Sequence, residues 1–160
     1  MTESSLITEE LRKLIGAPLE PTIFKVEEGA IQRYADAMDD PNPLYNDVEY
    51  AKKTKYGRLI CPPGFTGLPD RGGMEASPRY RMLDALAEAG APPRGLDGGI
   101  EFEFLVPIGA GDVIVAISKF TEIYEKETRI GKMLFAICET TFINQTGEVA
   151  LRSWTTGIKY

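Results

Sequence analysis

An α+β architecture, a curved antiparallel sheet packed against helical segments, follows from three features of this chain. Apolar residues recur at helical spacing through the first half, long β-rich runs fill the second, and turn residues separate those runs at short intervals. The 160 residues suit one domain over 1–160, enough to bury roughly 70% of the unfolded chain's surface. No internal repeat or low-complexity tract marks a boundary within it.

In the first half, Thr8 reads as an N-cap, with Glu9 and Glu10 in the first turn of a short helix through Leu11 and Ile15. Gly16 and Pro18 end it. Pro21–Val26 is a first strand, β-branched at Thr22, Ile23 and Val26. Ile31, Tyr34, Ala35 and Met38 then fall at i, i+3, i+4 and i+7, the apolar face of a second helix that Pro41 and Pro43 cannot continue. A further helical turn is expected around Val48–Lys53. The proline-rich stretch from Pro62 to Arg94 reads as a loop, an interrupted helix and a second loop. Its clearest helical part is Arg79–Ala89, with Tyr80, Leu83, Leu86 and Ala87 as its stripe and Ser77-Pro78 as a capping hydroxyl before a first-turn proline.

From Gly99 the period changes to two. Ile100, Phe102, Phe104 and Val106 alternate with Glu101, Glu103 and Leu105, which assigns the glutamates to a solvated face. Asp112–Ile123, Met133–Ile143 and Val149–Lys159 follow as strands, with turns at Gly109-Ala110-Gly111, Thr128–Gly131 and Asn144–Gly147; Asp112 reads as a turn residue.

The chain contains no histidine, so Ser-His-Asp and Cys-His chemistry and imidazole zinc sites are excluded within it. Acid–base work falls to carboxylates, Tyr, Lys or Cys, or to a partner chain. Cys61 and Cys138 lie far apart and no CxxC occurs, which predicts two reduced, buried thiols, no metal site and a cytoplasmic setting. A net charge of −6 argues against nucleic acid and anionic membrane surfaces. No apolar run reaches transmembrane length, and the acidic, polar N-terminus is unlike a signal peptide. Lys52, Lys53, Lys55 and Arg58 form a basic cluster, read as a solvated face with coenzyme A phosphates as the functional alternative. Arg71, Arg79 and Arg81 read the same way, with a tunnel mouth as the alternative.

Three segments carry a resemblance: Tyr34-Ala35-Asp36-Ala37-Met38-Asp39-Asp40-Pro41-Asn42-Pro43-Leu44-Tyr45; Cys61-Pro62-Pro63-Gly64-Phe65; and Gly99-Ile100-Glu101-Phe102-Glu103-Phe104 running into Pro107-Ile108 and Gly111-Asp112-Val113-Ile114. With these the chain resembles the MaoC-like hot-dog family, in its N-terminal dehydratase-domain branch. The resemblance implies a curved antiparallel sheet wrapped around a central helix, in subunits that pair edge to edge. It implies action on acyl thioesters, carried by coenzyme A or an acyl carrier as part of the substrate, with no separate cofactor. Active relatives hydrate trans-2-enoyl thioesters or dehydrate 3-hydroxyacyl thioesters through Asp-x-Asn-Pro-Leu-His. Carried over, Asp40 is the carboxylate and Asn42 the supporting amide, but Tyr45 stands where the family has histidine. Gly64, with Phe65 beside it, matches the acyl-binding position whose backbone N–H opens the central helix and faces the thioester carbonyl.

The reading expected is therefore an acyl-thioester-binding subunit of a heteromeric enoyl-thioester hydratase or 3-hydroxyacyl-thioester dehydratase, its own site degenerate. A homodimer remains open beside the heterodimer. The alternatives are a self-sufficient lyase using Asp40 and Tyr45, a hot-dog thioesterase using Glu75 or Asp84, and a non-catalytic acyl-CoA binder or scaffold. The irregular segment from Pro62 to Gly98 suggests a pocket widened for a bulky or ring-containing acyl group.

Overall fold

The computed structural model describes residues 5–65 and 77–160. Their order is α1 (Glu9–Lys13), β1 (Thr22–Lys25), α2 (Glu28–Ala37), α3 (Pro43–Asn46), α4 (Val48–Lys52), α5 (Pro78–Glu88), β2 (Gly95–Phe104), β3 (Val113–Thr128), β4 (Gly131–Ile143) and β5 (Val149–Lys159). The five strands form one antiparallel sheet in the order β1-β3-β4-β5-β2, with helices on it, the expected α+β arrangement.

Local chemistry sets the ends of the elements. The Thr8 side chain accepts from the Leu11 amide at 3.1 Å, and Ser77 accepts from Tyr80 ahead of Pro78, so both predicted caps form. The second helix stops at Ala37, before the prolines are reached. Met38 closes it and is 62% exposed, because Asp39 turns the chain into the left-handed region at φ 52. Met38 therefore does not belong to the buried stripe, which holds Ile31 and Ala35.

The sheet's inner face carries two apolar clusters. Phe24, Ile31, Ala35, Ile114, Phe142 and Leu151 anchor the first, beneath α2 to α4. Leu11, Met82, Leu86, Phe120, Leu134 and Cys138 anchor the second, beneath α1 and α5. Helix α5 seats Met82 and Leu86; of the expected stripe Leu86 is fully buried, Tyr80 and Leu83 are half-buried, and Ala87 faces solvent, its place taken by Met82. Along β3 the buried phase runs Ile114, Ala116, Ser118, Phe120 and then jumps to Ile123, since a bulge between Phe120 and Glu122 shifts the pleat by one residue.

Strand β2 departs from its expected alternation. Ile100 is 50% and Phe104 57% exposed, and only Phe102 and Val106 are half-buried. The cause is position: β2 pairs with β5 on one side only and lies at the sheet's margin. Glu101 and Glu103 are exposed as expected. Among the described residues no helix is long and apolar enough to cross a membrane.

Candidate functional site

The Asp40–Tyr45 loop is built by its own side chains. Asp40 Oδ1 accepts from the Asn42 amide at 3.0 Å, and Asn42 Oδ1 accepts from the Leu44 amide at 3.1 Å, capping α3 with Pro43 in its first turn. Asn46 Nδ2 donates to the Asp40 and Asn42 carbonyls at 2.8 and 3.3 Å and locks the loop from behind. Asp40 and Asn42 thus hold the turn together, while Tyr45 points inward and is 9% exposed. Burial, followed by the negative charge of Asp40, raises the Tyr45 pKa above its ordinary 10.0, although a hydrogen bond with the Asn42 side chain pulls the other way. At neutral pH the phenol keeps its proton.

Two cavities flank the Pro62–Phe65 turn. The first, about 280 Å³, is lined by Tyr45, Cys61, Phe65, Phe104, Leu105 and Leu151 among others. The second, about 270 Å³, lies between the start of α5 and the sheet, lined by Gly64, Tyr80, Met82, Phe102, Thr140 and Ser153 among others. The predicted acyl-binding pair is therefore divided, Phe65 facing the Tyr45 cavity and Gly64 the other. Gly64 sits at φ +90, a conformation that favours glycine, and a Cβ there would lie 2.9 Å from the Tyr34 hydroxyl, which would have to move. The Tyr34 and Phe65 rings meet at 5.0 Å between centroids. Pro62–Phe65 itself is a turn, closed by the Phe65 amide on the Pro62 carbonyl at 3.1 Å. Whether Gly64 opens a helix depends on residues 66–76, which lie outside the described residues, as do Glu75 and Arg71. Asp84 is exposed on α5 and lines neither cavity.

The turn is fixed from below. The Cys61 amide donates to the Ile108 carbonyl at 2.8 Å, and Ile60 bridges to Gly109. Asp112 closes the Gly109–Asp112 turn as expected, its amide donating to the Gly109 carbonyl at 3.1 Å, and is besides buried and paired with Arg58 through 2.7 and 2.8 Å contacts. It also accepts from Gln145 and from the Gly109 amide, each at 2.9 Å. Burial alone would raise its carboxyl pKa, yet the hydrogen bonds from Arg58, Gln145 and Gly109 outweigh it and hold it below the usual carboxylate range. Arg58 is thereby withdrawn from the basic cluster, and Lys52 pairs with Glu49 at 2.7 Å. Lys55 stands 5.1 Å from the Tyr56 ring centroid, at a shallow recess that shares Ile60 and Pro107 with the Tyr45 cavity. Arg79 pairs with Asp97.

Both cysteines are free, and burial pushes each thiol up to about 12, so neither supplies a thiolate at neutral pH. The hydroxyls of Thr140, Ser153 and Thr155 on the second cavity were not singled out from sequence. Their signal is a polar residue in the buried phase of a strand, visible only once phase and neighbouring strands are known.

The match with known proteins agrees with this geometry. A family model for the FAS1-like dehydratase domain region covers residues 13–152. A UPF0336 protein of Thermobifida fusca is 31% identical over 110 residues, 64% of this chain and 64% of that protein. A probable enoyl-CoA hydratase alpha subunit of Thermomonospora curvata is 30% identical over 139 residues, 78% of this chain and 42% of that protein. The matched spans thus take in less than two thirds of either relative. Among solved structures, the ChsH1-ChsH2 complex of Mycobacterium tuberculosis aligns with a TM-score of 0.75 at 17% identity, over 95% of this chain and 89% of that one. The HadBC 3R-hydroxyacyl-ACP dehydratase complex of the same organism gives 0.71 at 21% identity, over 91% and 96%. The fold is that of these hot-dog proteins, and the chain belongs to the FAS1-like dehydratase domain family of the MaoC-like hot-dog class.

Proposed function

We propose that this chain is the acyl-thioester-binding half of a two-chain hydro-lyase, which adds water to trans-2-enoyl thioesters or removes it from 3-hydroxyacyl thioesters. A second hot-dog subunit supplies the imidazole. Tyr45 carries the reading: a buried phenol, raised in pKa beside Asp40, in a chain without histidine. Hydration needs a base to take a proton from water as its oxygen bonds to the β-carbon. It also needs an acid to return a proton to the α-carbon from which the thioester enolate collapses. A phenol held above 10 donates but does not accept at pH 7. Asp40 already commits one oxygen to the Asn42 amide. The motif keeps the family's carboxylate and lacks its second proton carrier.

The open margin of the sheet supports a partner of different sequence. In a two-fold pairing of β2 with its own copy centred on Glu101–Glu103 and keeping the apolar residues inward, the glutamates of both copies share one face, directly opposite or diagonal. Strand β2 has no lysine or arginine of its own to offset them, and Arg152 of β5 serves Glu103 alone, at 3.0 Å. Hot-dog neighbours that are complexes of two different chains, ChsH1-ChsH2 and HadBC, point the same way.

The test is hydration of a panel of trans-2-enoyl-CoA thioesters by the purified chain, alone and co-expressed with a hot-dog protein bearing an intact Asp-x-Asn-Pro-x-His. Turnover only in the mixture, abolished by removing the partner's histidine, is the expected result. Turnover by the chain alone that Asp40→Asn abolishes would replace the proposal with a self-sufficient lyase. Thiol release from saturated acyl-CoA would replace it with a thioesterase. Acyl binding without turnover in any mixture would leave a binding protein.

A further inference from the structure

A polar band crosses the inner face of the sheet between two largely apolar regions. Ser118 pairs in register with Thr140, Thr140 with Ser153, and Ser153 with Phe102, so three hydroxyls cross three adjacent strands in a single row. All are deeply buried, at 3%, 4% and 2% exposed. The rows on either side read Thr22–Ala116–Phe142–Leu151 and Phe120–Cys138–Thr155, whose apolar members belong to the two clusters. The band lies between those clusters and forms the floor of the 270 Å³ cavity, where Thr140 and Ser153 are joined by Thr155.

Two members of the floor lack a partner. The Ser118 and Thr140 hydroxyls bond each other at 2.8 Å. Those of Ser153 and Thr155 make no hydrogen bond among the described residues, and both line the cavity. Both hydroxyls open on the cavity, where water meets them while it is empty, so a ligand that displaces that water must offer oxygen or N–H in its place. A plain hydrocarbon filling the space would leave both unmet.

We propose that this cavity selects acyl groups bearing an oxygen, a hydroxyl or a ketone, remote from the thioester, which Ser153 and Thr155 hydrogen-bond. The inference rests on the acyl-thioester reading above and deepens it. Phe104 lines the Tyr45 cavity and Phe102 this one, so the two lie side by side along β2, about 7 Å apart by strand geometry. The thioester end occupies the space beside Tyr45 and Phe65, and the distal part of the acyl group passes the Gly64 turn to reach the hydroxyl floor. Met82, Tyr80 and Phe102 wall that end, which suits a compact group.

Calorimetric titration of the chain with octanoyl-CoA, its omega-hydroxylated analogue and its omega-minus-one keto analogue tests this directly. At least one oxygenated thioester is expected to bind about tenfold more tightly than octanoyl-CoA, equivalent to about 1.4 kcal/mol. That preference disappears in Ser153→Ala/Thr155→Val, while octanoyl-CoA binds the variant as well as or better than the parent. Thermal unfolding of the variant, and of Thr155→Val alone, reports that the fold is kept. Equal binding of all three thioesters by the parent, or a preference that survives the substitutions, overturns the inference and leaves the acyl-thioester reading standing. Failure of every thioester to bind removes both.

Discussion

Four contacts converge on the Asp112 carboxylate, two from Arg58 and one each from Gln145 and the Gly109 amide. Because they hold the folded-state pKa below the unfolded value near 3.9, the group contributes stability that is present above that value and lost as pH falls through the depressed pKa. Asp112→Asn is expected to cost about 2 kcal/mol at pH 7, less than a fully buried pair because Arg58 is partly exposed. It also flattens the parent's loss of stability below pH ~4; urea unfolding at pH 7, 4 and 3 measures both effects. Tyr45 tests the chemistry instead. Tyr45→His restores the missing proton carrier beside Asp40 and is expected to raise enoyl-CoA hydration by the chain alone at least ~100-fold over background, with the gain erased by adding Asp40→Asn. No gain in a folded Tyr45→His variant would show that the loop is placed for packing alone. The Asp40–Tyr45 loop was legible in the sequence because its turn and cap are local. The Arg58–Asp112 clasp was not, since it joins residues 54 positions apart that only the strand register brings together.

Strand β2 presents an acidic, half-apolar margin, and the proposed docking of a partner strand there makes its charges testable. A Glu101→Lys/Glu103→Lys variant mixed with the parent chain is expected to pair through complementary edges, with a dissociation constant about tenfold lower than either chain shows with itself. Four opposite or diagonal charge contacts, each worth roughly 0.2–1 kcal/mol, suffice for that difference. It shrinks at high salt as the charges are screened. Sedimentation of the three samples at low and high salt decides; equal self-association in all three would mean that the glutamates play no part in partner choice. Helix α5 answers to packing rather than charge, and Leu86→Ala, at a fully buried position, is expected to lower stability by about 3 kcal/mol in the same unfolding assay. The period of two and the turn residues made β3, β4 and β5 readable, and the caps at Thr8 and Ser77 placed two helices. Alternation along β2 also predicted a strand, but periodicity cannot tell a central strand from a marginal one. Ile100 and Phe104 were therefore expected to be buried and stand half open. The α5 stripe was legible at Leu83 and Leu86 but missed Met82 for a related reason: Tyr80 to Ala87 offers overlapping apolar sets at helical spacing, and only the sheet beneath selects Met82 over Ala87.

The two cavities, the open margin and the acidic strand are parts of one arrangement. Ile100 and Phe102 line one cavity and Phe104 and Leu105 the other, so the strand that would meet a partner also walls both spaces. A partner strand laid along β2 covers these residues and closes the cavities from their exposed side, and a thioester bound within then touches both chains. On that arrangement association and ligand binding are linked, and linkage is reciprocal: the factor by which partner tightens ligand equals the factor by which ligand tightens partner. A coupling of about tenfold is expected, within the usual range for such effects. It is measured by titrating octanoyl-CoA into the chain with and without the catalytically silenced partner, and by titrating the partner into the chain with and without saturating octanoyl-CoA. Matching factors well above one place the acyl group at the junction of the two subunits. Factors of one in both directions would mean that each chain binds its ligand alone, and the missing histidine would then have to reach Tyr45 by some route other than β2.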